Sequence, residues 1–179
     1  MNDGLIPKRY AKALYKLAKE NGDTQEIYEQ LKPISQGLKG LDQVKRVLLN
    51  PYIPNEEKGK VMMELVGAKP GSSLDKFILL VIRNNRAELL RKIALSYVNL
   101  YREEHNIAKV EITTAAKLPQ EKIDDIVGIV KQRLGDFTLE IAQYIDPDLI
   151  GGFTVKVGDV LLDASVKNEL NQMRLKLTS

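Results

Sequence analysis

The sequence contains no cysteine and no tryptophan, and it has only one histidine among 179 residues. Without cysteine the chain cannot form disulfides, zinc–thiolate sites or a thiol nucleophile. A single histidine also excludes a metal site built from several imidazoles. The lack of cysteine fits a reducing compartment but does not establish one.

Long hydrophobic runs and a dominant charge sign are missing as well. The longest apolar run, residues 77–82, falls far short of the ~20 residues that a membrane-spanning helix needs. The polar start of the chain predicts no signal peptide. The 27 basic and 24 acidic residues are interspersed and leave a net charge of +3, so we expect no nucleic-acid binding, which needs a concentrated basic patch. Any association with a membrane is expected to be indirect, through a partner.

What the sequence does contain is enough apolar material for a core, since 44% of its residues are hydrophobic. Up to about residue 106, apolar residues recur at helical spacing. Pro7 suits the first turn of a helix that ends near Gly22, and Asn55 is expected to cap a later helix. Six helices are predicted, near residues 7–20, 24–40, 41–48, 55–66, 74–84 and 87–105.

The pattern changes near Asn106. Val110, Ile112 and Thr114 alternate with polar neighbours, as in a half-buried strand. A helix from Pro119 to Gly135 and a second alternating stretch at residues 137–141 follow. Residues 150–177, IGGFTVKVGDVLLDASVKNELNQMRLKL, read as strand, turn, strand and helix. We therefore predict a mainly α protein with a six-helix N-terminal bundle (residues 1–106) and a smaller mixed α/β C-terminal domain (residues 107–179).

Two predicted helices are more apolar than a surface helix requires. On the first, apolar residues cover roughly 200° of the circumference, against the ~100° that faces a core; the fifth is apolar all round at residues 77–82. One interpretation is that both helices are central in the bundle. The other is that one apolar side forms a groove for an incoming amphipathic helix. The helical wheel alone favours the first interpretation.

Three motifs in order along the chain resemble one family. They are PKRYAKALYKLA (residues 7–18), FILLVIRNNR (residues 77–86) and the stretch at 150–177. Together they are similar to the delta subunit of F-type ATP synthases, called OSCP in mitochondria. The resemblance implies a non-catalytic stator subunit that links the catalytic head to the membrane sector. It resists rotor torque during ATP synthesis coupled to proton transport.

The resemblance also implies partners. In this family the N-terminal domain binds N-terminal helices of the alpha subunits in a groove between its first and fifth helices. Carried onto this chain, the groove candidates are Tyr10, Ala13, Leu14, Leu17, Lys76, Phe77, Leu80 and Val81. The sequence leaves open which of these residues face the partner and which face the core. On this assignment, Leu14→Asp combined with Leu80→Asp should weaken alpha binding more than it unfolds the bundle.

The C-terminal domain of the family binds the b subunits of the peripheral stalk. The corresponding residues here are Phe153, Val155, Leu162, Val166, Leu170 and Met173. A small mixed domain must bury its own strand and helix faces first, so we expect most of these six residues to form the core of the domain. The resemblance and the lack of an obvious targeting extension predict a peripheral membrane protein at the cytoplasmic face of a bacterial cell membrane, in preference to an organellar inner membrane.

No motif in the chain predicts an enzyme. Residues 67–73, GAKPGSS, lack the Gly-Lys-Ser/Thr ending of a phosphate-binding loop and do not follow a strand. His105 stands at a helix end, where a solvated cap is expected. We therefore predict no catalytic residue, no metal site and no cofactor. The alternative to a stator is an adaptor that recognises amphipathic helices in another multisubunit assembly.

Overall fold

Helices make up the first part of the chain, and a four-stranded sheet with two helices makes up the second. The computed structural model describes residues 4–37, 46–48, 50 and 52–178. It divides into an N-terminal unit, Met1–Glu104, and a C-terminal unit, His105–Ser179. The helices of the N-terminal unit are α1 (Leu5–Asn21), α2 (Thr24–Ser35), α3 (described at residues 46–48), α4 (Asn55–Val66), α5 (Ser73–Arg83) and α6 (Leu90–Glu104).

The predicted helices agree with these bounds except at some ends. Pro54 occupies the position before α4 and Asn55 is its first helical residue, so the predicted Asn55 cap is wrong. A 3-10 turn, Ala87–Leu89, precedes α6 where one continuous helix was predicted. The second helix ends at Ser35, earlier than predicted, and Gln36 and Gly37 form a turn after it. Gly40 itself and the predicted third-helix residues Leu41 and Val44 lie outside the described residues.

Helix ends in this unit follow from local chemistry. Gly22 ends α1 in the left-handed conformation, at φ 74°, and its N–H bonds to the carbonyl of Ala18. Ser72 precedes α5, and its hydroxyl accepts a hydrogen bond from the Asp75 N–H at 3.2 Å. Gly22 thus fixes the end of α1, and Ser72 fixes the start of α5.

The core of the N-terminal unit forms where α6 packs against α1 and α2. The rings of Tyr28 and Tyr101 stack at 4.2 Å between centroids. The buried Tyr97 donates its hydroxyl to the carbonyl of Thr24 at 3.1 Å, and burial raises the pKa of that hydroxyl. Tyr28, Tyr97 and Tyr101 thus fill part of the interior of this unit.

The C-terminal unit is a mixed sheet with the strand order β2-β1-β3-β4. Its elements are β1 (Ile107–Thr114), α7 (Gln120–Leu134), β2 (Thr138–Ile145), a 3-10 turn (Pro147–Leu149), β3 (Gly152–Val157), β4 (Val160–Ser165) and α8 (Val166–Thr178). Strands β1 and β2 are parallel and joined through α7, whereas β1–β3 and β3–β4 are antiparallel. The predicted alternation in β1 is confirmed, because Val110, Ile112 and Thr114 are buried.

One face of the sheet carries the core of this unit. The cluster consists of Val110, Ile112 and Val155 from the two central strands together with Ile123 and Ile126 of α7. A single helix, 10–12 Å wide, covers about two strands spaced at 4.7–4.9 Å. The edge strands β2 and β4 therefore extend past the helix that covers the centre.

Glycine is required where β3 begins. Gly152 has φ 74°, and a Cβ there would lie 2.2 Å from the Ala164 carbonyl oxygen. Ser165, at the end of β4, then starts α8, since its hydroxyl accepts a hydrogen bond from the Asn168 N–H at 3.2 Å. The strand–turn–strand–helix order predicted for residues 150–177 is therefore confirmed.

Candidate functional site

Helices α1 and α5 pack side by side and run in opposite directions. The Asn84 side-chain amide donates to the Tyr10 hydroxyl at 3.1 Å, and the Asn21 amide donates to the Ser73 hydroxyl at 2.8 Å. The start of α1 thus meets the end of α5, and the reverse holds at the other end. The rings of Tyr10 and Phe77 meet edge to face, at 6.1 Å between centroids and 74° between planes, which is a favoured aromatic geometry.

Burial separates the eight residues predicted to line this groove. Leu14, Phe77 and Val81 are buried, at 0%, 5% and 1% exposure, and belong to the core of the unit. Ala13, Lys76 and Leu80 are exposed, while Tyr10 and Leu17 are half-buried. Five of the eight therefore reach the surface. We call Tyr10, Ala13, Leu17 and Leu80 the α1/α5 strip.

The burial of Leu14 corrects the double substitution suggested by the sequence. A carboxylate at a fully buried site with no cation partner costs several kcal/mol or more, so Leu14→Asp would unfold the bundle rather than test the groove. Leu80, at 49% exposure, is the position where an Asp remains in contact with water.

Two neighbouring leucines on α5 have different surroundings. Gly59 of α4 lies against Leu79, because a Cβ on Gly59 would stand only 3.1 Å from Leu79 Cδ2. Leu80 points away from this contact and stays exposed. Packing on two sides therefore explains most of the apolar residues of α5. This agrees with the interpretation that the helix is central in the bundle. Leu80 is the large apolar side chain of α5 left exposed.

The strip is chemically suited to a helix. Ala13, between Tyr10 and Leu17 on one side of α1, leaves room for close approach of a partner backbone. Leu80 adds an aliphatic contact from α5. Tyr10 is half-buried, and its hydroxyl is already held by Asn84.

The six residues predicted for the second partner divide differently. Val155 is buried and Phe153 packs on the same cluster. Leu162, Val166, Leu170 and Met173 are exposed by 49%, 37%, 51% and 59%. The expectation that most of the six form the core is therefore wrong. Leu162 stands on the edge strand that α7 does not cover, and α8 packs mainly against β4 and the 3-10 turn before β3.

Sequence reasoning also missed several exposed apolar residues of this unit. Val160 and Leu161 of β4 and Ile150 before β3 are exposed. On the other edge strand, Ile141 and Ile145 are exposed and share the core-facing side through their pairing with Val110 and Thr114. Counting strands against covering helices would have found both edges. We call Val160, Leu162, Val166, Leu170 and Met173 the β4/α8 surface.

The loop that superficially resembles a phosphate site, residues 67–73, uses its polar groups internally. The Gly71 N–H donates to the Asp75 carboxylate at 2.7 Å, and Ser72 caps α5. Across the described ranges, no group of three or more His, Cys, Asp or Glu side chains is arranged to hold a metal ion. Within those same ranges, no helix has the length and apolarity to cross a bilayer.

Comparison with known proteins identifies the family of this chain. A family model described as ATP synthase delta (OSCP) subunit matches residues 6–177. The ATP synthase subunit delta of Phocaeicola vulgatus is 34% identical over 172 residues, spanning 96% of this chain and 92% of that protein. The protein of the same name from Prochlorococcus marinus (strain MIT 9312) is 32% identical over 169 residues, or 94% of each chain.

A similarity in structure extends over the same length. A chain of the cryo-EM structure of the Toxoplasma gondii mitochondrial ATP synthase hexamer matches with a TM-score of 0.71, covering 97% of both chains at 22% identity. At that identity the likeness concerns the fold. It includes both the helical unit and the mixed unit.

Proposed function

The chain belongs to the ATP synthase delta (OSCP) subunit family, and on that premise we propose that it is the non-catalytic stator subunit that joins the catalytic head to the peripheral stalk. The rotor turning inside the head would otherwise drag the head with it. A link of this kind needs two binding surfaces and no reacting group. Torque then drives ATP synthesis coupled to proton transport.

We assign the α1/α5 strip to N-terminal helical segments of the alpha subunits. The observation that carries this assignment is the antiparallel pair of helices α1 and α5, on which Ala13 and Leu80 both stay exposed. An amphipathic helix lying in such a strip buries its apolar side chains and keeps its polar face in water. Tyr10, Leu17 and Lys76 would form the edges of the contact.

We assign the β4/α8 surface to the b subunits. It combines the exposed apolar residues of edge strand β4 with the exposed stripe of α8, where Val166, Leu170 and Met173 recur at helical spacing. So many exposed large apolar residues on one strand and the helix that follows it are typical of an interaction site. Phe153 and Val155 would support this surface from within.

The proposed location is the inner, cytoplasmic face of a bacterial cell membrane, where the subunit would be held by its partners. Support comes from bacterial relatives that span nearly the whole chain.

The test is a pull-down of the tagged full chain from native membranes. We expect alpha and b subunits to be recovered together, and isolated protein to show no ATPase activity. Recovery of a different assembly would favour an adaptor role. ATPase activity that copurifies through several columns would return the chain to the enzyme class.

A matched pair of variants separates the two surfaces. Leu80→Asp should reduce the recovery of alpha and leave b unchanged, whereas Leu170→Asp should do the reverse. Both positions are about half exposed, so each variant serves as the folding control for the other.

A further inference from the structure

We propose that four cations, Arg9, Lys16, Lys76 and Arg83, border the α1/α5 strip on both sides and select a helix that carries carboxylates on both flanks of its apolar stripe. We call these four residues the cationic rim. The proposal rests on the proposed function, because it specifies the kind of segment that the strip would bind.

The position of the rim follows from helix geometry. Tyr10 and Asn21 of α1 and Phe77 and Asn84 of α5 lie at the seam between the two helices. A residue one position earlier in an α-helix is rotated by 100°. On both helices this rotation leads away from the core, whose positions on α1 are Pro7, Ala11, Leu14 and Ala18.

Each rim residue stands one position before a seam or strip residue. Arg9 precedes Tyr10, Lys16 precedes Leu17, Lys76 precedes Phe77 and Arg83 precedes Asn84. All four are exposed. Two cations therefore border the strip along α1, and two border it along α5.

The antiparallel contacts fix which cations lie opposite each other. Since Tyr10 meets Asn84 and Asn21 meets Ser73, the numbering of α5 falls as that of α1 rises. Arg9 and Arg83 are thus at one end of the strip, and Lys16 and Lys76 lie toward the other. Arg9 and Lys16 are seven positions apart, as are Lys76 and Arg83, which is about 10 Å along a helix. An incoming helix would therefore meet positive charge on both flanks over about two of its turns.

The net charge of the chain comes from helix α1, which carries two of the four rim residues. Helix α1 holds five of the 27 basic residues and one of the 24 acidic residues. The rest of the chain accordingly has one more acidic than basic residue. The net positive charge of the protein is therefore supplied by the residues of α1.

The rim charges are not neutralised from within the described part of the chain. No side-chain hydrogen bond or ion pair joins any of the four to another described residue. Of the carboxylates on α1 and α5, Asp75 accepts the Gly71 N–H. Glu20 is one turn from Lys16 but forms no ion pair with it there. The rim is therefore available to carboxylates from outside.

The small apolar area of the strip makes charge important for selection. Rim charges act mainly on the association rate and on the choice of partner, and salt screens them with a Debye length of about 8 Å at physiological ionic strength. An acidic amphipathic helix fits this surface, whereas a basic one is repelled on both flanks.

The experiment measures binding of the full chain to a synthetic peptide. The peptide is the N-terminus of the alpha subunit encoded in the same genome. It is about 20 residues long and spans ~30 Å when helical. The rim variant is Arg9→Glu with Lys76→Glu. The matched control is Lys8→Glu with Lys19→Glu, which makes the same change in net charge on exposed positions of α1 away from the strip. Leu80→Asp tests the strip itself, and circular dichroism checks that each variant is folded.

We expect the rim variant to weaken binding by about tenfold or more at 50 mM salt and by less than about threefold at 500 mM salt. The control variant should change binding by less than about threefold at both, and Leu80→Asp should weaken it at both. A rim variant that binds like its control would overturn the rim while leaving the proposed function in place. If Leu80→Asp bound the peptide normally, the α1/α5 strip would not be the binding site for the alpha subunit.

Discussion

The two units of this protein treat their apolar residues in opposite ways. Among the described residues, the N-terminal unit buries 21 hydrophobic side chains and exposes four large ones, whereas the C-terminal unit buries six and exposes twelve. In the described part of the N-terminal unit, α6 packs against α1 and α2, and α5 packs against α4 and α1. In the C-terminal unit, α7 covers the centre of the sheet and leaves apolar residues exposed on both edge strands. The N-terminal unit therefore completes its own core, and the C-terminal unit keeps a large apolar surface that suits a partner.

This difference suggests two kinds of interface. The N-terminal unit offers a narrow strip whose selectivity depends on bordering charges. The C-terminal unit offers apolar area on an edge strand and a helix stripe, where hydrophobic burial supplies most of the binding free energy. The following substitutions test whether the contrast holds.

The largest effect is expected from Leu14→Asp compared with Leu80→Asp, two leucines assigned to one groove by sequence. Leu14→Asp should cost about 5 kcal/mol or more, because it removes a buried side chain and introduces an unpaired charge, which approaches the whole stability of a domain. Leu80→Asp should cost about 1 kcal/mol or less. Thermal unfolding followed by circular dichroism measures both, and equal costs would refute the division of the two leucines.

The next largest effect on stability is expected from Gly152→Ala. Its Cβ would meet the Ala164 carbonyl oxygen at 2.2 Å in a left-handed backbone conformation, so β3 and β4 must shift apart. We expect a loss of about 2–4 kcal/mol confined to the C-terminal unit. Gly158→Ala is the control, because it has positive φ but nothing within 4 Å of the added Cβ. Equal losses from both would mean that the close approach does not matter.

Leu162→Asp with Leu170→Asp should change stability by only ~1 kcal/mol, because both side chains are about half exposed. The same variant should raise the solubility of the isolated protein and abolish recovery of the b subunits. Sedimentation measures self-association and pull-down measures binding. Unfolding of this variant would show that the β4/α8 surface belongs to the core after all.

The smallest effect concerns a single ion pair on the outer face of the sheet. A hydrogen bond from Lys109 holds the pKa of the Glu111 carboxyl below its usual range. A carboxyl whose pKa is lower in the folded state than in the unfolded state stabilises the protein at pH values above its ordinary pKa. This contribution is lost as the pH falls through the lowered value. Glu111→Gln should thus cost less than about 1 kcal/mol at pH 7 and nothing at pH 2. A cost that persists at low pH would assign the effect to packing instead.

The sequence predicts much of this fold because its signals are local. Periodicity identified the helices and the alternation of Val110 and Ile112, and Gly22 ended α1 where expected. The prediction that Asn55 caps α4 was wrong because Pro54, whose ring fixes φ, occupies the N-cap position. The helical wheel alone could not divide the groove residues into core and surface, because the neighbours of α5 come from two other helices, Tyr10 from α1 and Gly59 from α4.

The C-terminal surface shows the same limit more clearly. Leu162 and Val155 are paired residues on adjacent strands and face the same side of the sheet. Their hydrophobicity is alike, yet Val155 is buried and Leu162 is half exposed. What separates them is the width of one helix, which depends on the packing of layers and not on the spacing of residues along a strand.

The central claim is that two separate surfaces of one chain hold two different partners. The most direct test is quantitative pull-down from native membranes with Leu80→Asp, Leu170→Asp and wild type in parallel, measuring the ratio of alpha to b recovered. The account predicts a ratio that falls severalfold for Leu80→Asp and rises severalfold for Leu170→Asp. A ratio that stays at the wild-type value in both variants would contradict it.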